Sequence, residues 1–343
     1  MNTRLWNLDA ATYSRHPLHT VDRIWPQSNC SFDMWVELLH VSGAEPLAAM
    51  PFTLAVDLEG DQWTFFKFPL ADLSTLYGVE VFEVNVWRSL VSHIGEQVGL
   101  GRPVFVEVDA FDLPDTAGTS YGIEHVKSSI GVQAIDRQAR RLGYFHNDSY
   151  YELSGADFDR LFDSSRSGID GEGLPPYVEA AKLGEPRLTS RCGIRDLSLA
   201  LLASHLARRP AVNPFRRFAA RFQADLEWLV HERLAMFHRY AFATLRQCGA
   251  AFDLAGHYLR WLDSVGENGL REAVAACDTI AATAKTLQFK TARAVNSHRV
   301  FDATPLVDEM AGAWDDTMAL LVTRYGQPDR APGTSALPCP TVD

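Results

Sequence analysis

The hydrophobic period changes along this chain, and no single architecture accommodates both halves of the pattern. Up to about residue 160, runs of period two alternate with short stretches of helical spacing; beyond residue 187 helical spacing continues almost to the end. Between them lies a stretch rich in Gly, Ser and Pro (Ser164-Ser165, Gly168, Gly171, Gly173, Pro175-Pro176), the composition of a linker. The expectation is an α+β domain with an antiparallel sheet at 1–163, a linker or surface loop at 164–186, and an all-α helical bundle at 187–326. The Pro- and Gly-containing tail, 327–343, is expected to be disordered.

Particular elements follow from particular residues. Phe32, Trp35, Val36 and Leu39 share one face of a helix starting at Cys30 or Ser31 and ending at Gly43, and Trp87, Leu90, Val91, Ile94 and Val98 mark a second. Strands are expected at Val104 to Val108, over the alternating Val126, Ser128, Ile130 and Val132, and at Arg141 to His146 before the turn Asn147-Asp148. Asn213-Pro214 starts a helix whose apolar stripe, from Phe215 to Tyr240, predicts one long element. Two further stripes run from Leu270 to Leu287 and from Trp314 to Tyr325.

Composition narrows the function classes. Thirty-two Lys and Arg against 43 Asp and Glu give a net charge of −11, which repels a phosphate backbone and argues against a nucleic-acid partner. Residues 1–27 carry scattered charges and no apolar core of signal-peptide length, and no 18-residue apolar run occurs, so neither export nor a membrane partner is expected. Five dispersed cysteines without a C-x-x-C pair disfavour a disulfide or zinc framework and fit a reducing cytoplasm. Each thiol is then either packing or chemistry. Cys248 and Cys277 sit in helical stripes, where a cysteine fills space, and Cys339 lies in the tail.

Cys30 differs from the others. It follows the turn-favouring Pro26-Gln27-Ser28-Asn29 and stands where the first helix begins, where free amides and the helix dipole favour a nucleophilic thiolate. Gln27 and Asn29 bring the side-chain amides that an oxyanion hole needs. A small buried hydrophobe is the plain alternative. A cysteine nucleophile needs a base and an orienting group. His125 opens a strand after a Gly- and Thr-rich loop, and Asn147 and Asp148 close the next strand, so an antiparallel pairing returns them to the same sheet end. Only one of the two can face the imidazole, because alternation turns neighbours to opposite faces. Two clusters carry metal-ligating residue types, His231, Glu232 and His238, and the carboxylates Asp109, Asp112 and Asp115, but the first has two histidines with no third placed ligand and no metal is expected at either.

Asn29-Cys30 opening an amphipathic helix, the run VFVEVDAFDLPD at 104–115, His125 in GIEHVKSSIGV and the segment GYFHNDSYYELSGADF follow one another in an order that resembles the butirosin-biosynthesis protein H family. That family is similar to papain-like, C39-type cysteine peptidases. The likeness spans roughly residues 20 to 162, and the chain also resembles an uncharacterised bacterial domain-of-unknown-function family encoded beside amino acid:carrier-protein ligases. The resemblance implies a papain-like fold for the first domain, Cys30 as the acyl-accepting nucleophile, His125 as its base, and Asp148 or Asn147 as the orienting group. Asp109 and Leu113-Pro114 would be structural parts of the loop leading to His125. In C39-type peptidases the oxyanion Gln lies further before the cysteine than Gln27 does here.

The function implied is acyl or aminoacyl transfer from a carrier-protein thioester to a small amine acceptor, through a Cys30 acyl-enzyme. The phosphopantetheine would be presented by the carrier, with no bound cofactor and no metal. Lys285, Lys290 and Arg293, on or near one helix, are candidates for meeting an acidic carrier or a substrate carboxylate, against the plainer reading of a solvated helix face. Two alternatives stand beside this: a hydrolase of the same constellation (peptidase, amidase or thioesterase), and a non-catalytic module that binds an acylated carrier or a peptide.

Overall fold

The computed structural model describes residues 2–163, 174–184 and 191–326. The chain divides into two units whose segments interleave. One comprises 1–21, 29–46 and 73–187; the other comprises 22–28, 47–72 and 188–343. The expected boundary after residue 163 differs from this in two ways. Residues 22–28 and 47–72 leave the first half for the helical unit, and the first unit runs on through the expected linker.

The first unit is built on a seven-stranded antiparallel sheet. Its strands are β1 (Asn2–Arg4), β4 (Glu80–Glu83), β5 (Val104–Asp109), β6 (Lys127–Asp136), β7 (Arg141–His146), β8 (Ser149–Ser154) and β9 (Val178–Lys182). A short hairpin of β2 (Leu58–Glu59) and β3 (Gln62–Trp63) belongs to the other unit. The sheet order is β4-β9-β5-β6-β7-β8, and β1 pairs with the far end of β6, where β5 has ended. The β9 strand corrects the linker expectation for 164–186: it lies between β4 and β5, with Ala180 and Ala181 fully buried. Its sequence, VEAAK, carries neither β-branched alternation nor aromatic residues, so it shows little strand propensity and depends on its two neighbours.

The two faces of this sheet pack against different helices. Val104 and Val106 of β5, Ile130 and Val132 of β6, and Leu142 and Tyr144 of β7 form a core with Leu90, Ile94 and Val98 of α3 (Leu90–Gly99). The alternate residues face α1 (Cys30–Val41). Trp35 stacks on Phe105 with ring centroids 4.6 Å apart, and Met34 lies over Gly131, where an added Cβ would stand 3.0 Å from its sulfur. Gly131 is therefore what lets α1 sit this close to β6.

The helical unit contains α5 (Arg191–Ala207), α6 (Pro214–Leu229), α7 (Leu234–Ala241), α8 (Gln247–Ser264), α9 (Arg271–Ser297) and α10 (Thr304–Tyr325). The single long helix expected from Pro214 to Tyr240 is broken at residues 230–233, and a π-helical turn, Phe242–Arg246, leads into α8. The stripe continues across the break because α6 and α7 bury the same kind of face, which is why periodicity alone does not reveal the turn. Among the described residues no helix is long and apolar enough to cross a membrane. The expectation for the tail, 327–343, lies outside the described residues. Between α1 and α3 lies α2 (Leu70–Tyr77), and α4 (Ala156–Leu161) follows β8.

Candidate active site

Cys30 is the first residue of α1, and Asn29, in extended conformation, caps that helix by accepting the Phe32 amide at 2.9 Å. The cysteine is half-buried. The helix is held from below by a charged cluster within the same unit. His19 meets Glu37 through Nδ1 at 2.5 Å and Asp33 through Nε2 at 3.5 Å, while Tyr13 donates to Glu37 at 2.6 Å. Burial disfavours a charged His19, but the hydrogen bonds and charges of Asp33 and Glu37 outweigh it and lift the pKa to about 9. Neighbouring His16 goes the other way, down to about 4, through burial first and then the proximity of His40.

His125 stands just before β6 with its side chain exposed. Its Nδ1 lies 2.6 Å from Oδ2 of Asp109, the last residue of β5, and its ring stacks on Phe111 at 4.4 Å and 15°. The other carboxylate oxygen of Asp109 accepts the amides of Phe111 and Val126, so this one side chain ties both ends of the 110–126 loop. Partial burial works against ionisation of Asp109, but the His125 hydrogen bond and those two amides hold its carboxyl below the ordinary range. An ionised carboxylate accepts only, so Nδ1 carries the proton and Nε2 is left as the basic nitrogen. Strand parity puts Asp109 and its cross-strand partner Lys127 on the α1 side. Asp109 is four residues from Phe105, and Lys127, the first residue of β6, is four residues from Gly131.

The two residues expected to orient His125 take other partners. Asp148 forms an ion pair with Arg15 at 2.8 Å. Asn147 adopts a left-handed conformation (φ 48°) in the turn after β7, with Nδ2 at 3.4 Å from both ring nitrogens of His146. The carboxylate against His125 is Asp109, read from sequence as a structural part of the loop. The β5–β6 register pairs Asp109 with Lys127, two residues after His125, and that pairing is the signal that identifies it.

A second histidine system lies on the opposite face. His146 meets Ser128 Oγ at 2.7 Å through Nε2 and Asp115 at 2.5 Å through Nδ1, and Tyr144 donates to the other Asp115 oxygen at 2.6 Å. Both the His146 and Asp115 side chains are almost fully buried, so this serine–histidine–aspartate chain pins the 110–126 loop to the sheet end and offers substrate no entry. Among the described residues no group of three or more His, Cys, Asp or Glu side chains is arranged to hold a metal.

The remaining expected residues are spread over the two units. Gln27 is exposed in the strap 22–28, and Asn29 already uses its side-chain oxygen as a cap. On α9, Lys285 is half-buried with Nζ 4.0 Å over the Trp25 ring, while Lys290 and Arg293 are exposed. Burial pushes the Cys277 thiol up to about 12 and that of Cys248 well above its ordinary value, in keeping with packing roles.

Comparison with known proteins adds family membership and no activity. Residues 14–183 match the model of the DUF1839 N-terminal domain, and residues 193–323 that of the DUF1839 C-terminal domain. No curated protein matches the chain.

Proposed function

The chain belongs to the DUF1839 family, and from its site we propose that it is a cysteine-dependent acyl or aminoacyl transferase, with Cys30 as nucleophile, His125 as base and Asp109 as the group that orients His125. The observation that carries the reading is the His125–Asp109 contact at 2.6 Å. A histidine held in the Nδ1–H tautomer by a carboxylate presents Nε2 to solvent, which is what a general base for a thiol or an amine requires. A helix-start cysteine, and a strand parity that puts Asp109 on the α1 side, support the same assignment. The resemblance to the butirosin-biosynthesis protein H family, with its papain-like fold, supplies the substrate class: an acyl or aminoacyl thioester on the phosphopantetheine of a carrier protein, and a small amine acceptor.

The chemistry runs in two balanced steps. Cys30 Sγ, deprotonated by His125, adds to the thioester carbonyl and expels the carrier thiol, which takes the proton from His125; one thioester replaces another. The amine then attacks the acyl-enzyme, gives its proton to His125 and releases Cys30. The exposure of His125 favours one second reading, a hydrolase in which water takes the amine's place.

Intact-mass measurement after mixing the protein with an aminoacylated carrier protein separates these. An adduct of the acyl mass on the wild type and none on Cys30→Ala supports the proposal. An undiminished adduct on Cys30→Ala sinks it, and free acid as the sole product in the presence of amines selects the hydrolase.

A further inference from the structure

A base has to present its proton acceptor in one direction, yet the His125 side chain is 65% exposed. The Asp109 hydrogen bond fixes Nδ1 and the tautomer. A single contact at one ring edge does not fix the plane of the ring, because the outer torsion of a histidine side chain is broad. The second contact comes from Phe111, whose ring lies face to face with the imidazole at a centroid distance of 4.4 Å and an interplanar angle of 15°. One contact lies in the plane of the imidazole and the other on its face, so together they restrict the rotation that either alone would allow.

Phe111 is held by its backbone. It lies in the tight turn Ala110–Asp112, which Asp109 caps by accepting the Phe111 amide at 3.0 Å, and its carbonyl accepts the Gly122 amide at 3.0 Å. The Ala110 amide donates to the Val126 carbonyl at 2.8 Å, and the Thr116 hydroxyl lies 2.9 Å from the carbonyls of both Ala110 and Leu113. Ala110, Asp112 and Leu113 are buried, whereas Phe111 is half-exposed. A phenyl ring left partly in water forgoes some of the burial its size would give, so packing alone does not account for its place. Its backbone and the imidazole are both tied to one carboxylate, that of Asp109.

We propose that Phe111 is a positioning residue of the candidate site: with Asp109 it fixes the plane of the His125 ring, and so the direction of Nε2. Asp109 selects the tautomer and Phe111 the plane. The consequence for catalysis rests on the reading of His125 as a base, but the orienting contact itself is measurable without any reaction. Phe111→Leu removes the flat face and keeps the amide and carbonyl bonds that hold the loop.

Nuclear magnetic resonance of the full chain carrying labelled histidine tests the contact, with His125 identified by the signal lost in His125→Gln. In the wild type the His125 ring is expected to be the Nδ1–H tautomer and as ordered as the backbone around it. Phe111→Leu is expected to keep the tautomer and lower the order parameter of the ring, and Phe111→Tyr to restore it. Single-turnover acylation by an aminoacylated carrier protein is expected to slow about tenfold in Phe111→Leu at saturating carrier, with the half-saturating concentration changed less than about twofold, and to recover to within about threefold in Phe111→Tyr. A ring as ordered in Phe111→Leu as in the wild type overturns the proposal, and so does a looser ring with an unchanged rate. Equal losses in Phe111→Leu and Phe111→Tyr overturn it as well, since they would give Phe111 a role in loop stability alone. A wild type that forms no acyl-enzyme removes the transferase reading, and the order of the ring then decides the role of Phe111 by itself.

Discussion

Asp109 joins two jobs that are separable by mutation. Its Oδ1 caps the loop through the Phe111 and Val126 amides, and its Oδ2 holds His125. Asp109→Asn keeps the size of the side chain and removes the charge that selects the Nδ1–H tautomer. The expected outcome is a loss of acyl-enzyme formation on the order of 10²–10⁴-fold, with thermal stability changed little, read by single-turnover kinetics beside a melting curve. Asp148→Asn removes only a half-exposed ion pair with Arg15 and is expected to cost less than about 1 kcal/mol of stability. The contrast decides which carboxylate orients the base. Cys30, His125 and the turn at 147–148 were legible as residues, because a helix start, a strand start and a turn are local signals. Asp109 was not, because its role depends on which strands become neighbours.

Whether an element is legible depends on how far its partners stand in sequence. The α1 helix follows from Asn29, Phe32, Trp35 and Leu39 alone, and its observed limits, Cys30–Val41, agree with that pattern. Strands β5, β6 and β7 carry their own alternation. The β9 strand does not, and it exists because β4 and β5 satisfy it on both edges. The break between α6 and α7 is hidden by a stripe that resumes in phase. One glycine shows how an element sets the site. Gly131→Val places branched carbons against Met34 and Phe105, so α1 must move or the core must strain, at a cost of about 1–3 kcal/mol. Since Cys30 is carried by α1, the variant is also expected to slow modification of Cys30 by an acylating probe at a temperature where it stays folded. A stability loss with no change in Cys30 reactivity would show that the helix start does not depend on this contact.

For the whole molecule, two buried histidines around α1 give opposite pH limbs. The folded pKa of His19, about 9, lies above the ordinary 6.5, so its contribution is complete below about 6.5 and is lost as pH rises through 9. The folded pKa of His16, about 4, lies below 6.5, so its contribution is complete above that value and is lost as pH falls toward 4. His257, in the helical unit, has the same sign as His16. Stability is therefore expected to be greatest around pH 6.5–7 and to fall on both sides, with denaturant midpoints measured from pH 4.5 to 9.5 tracing the two limbs. His19→Gln removes a charge held between Asp33 and Glu37, and so lowers the midpoint near neutrality while flattening the alkaline limb. His257→Gln flattens part of the acid limb instead. An alkaline limb of unchanged slope in His19→Gln would assign that limb to other groups. It would also remove the reason for treating the Tyr13–His19–Glu37 cluster as the clamp that fixes α1, and with it Cys30, in place.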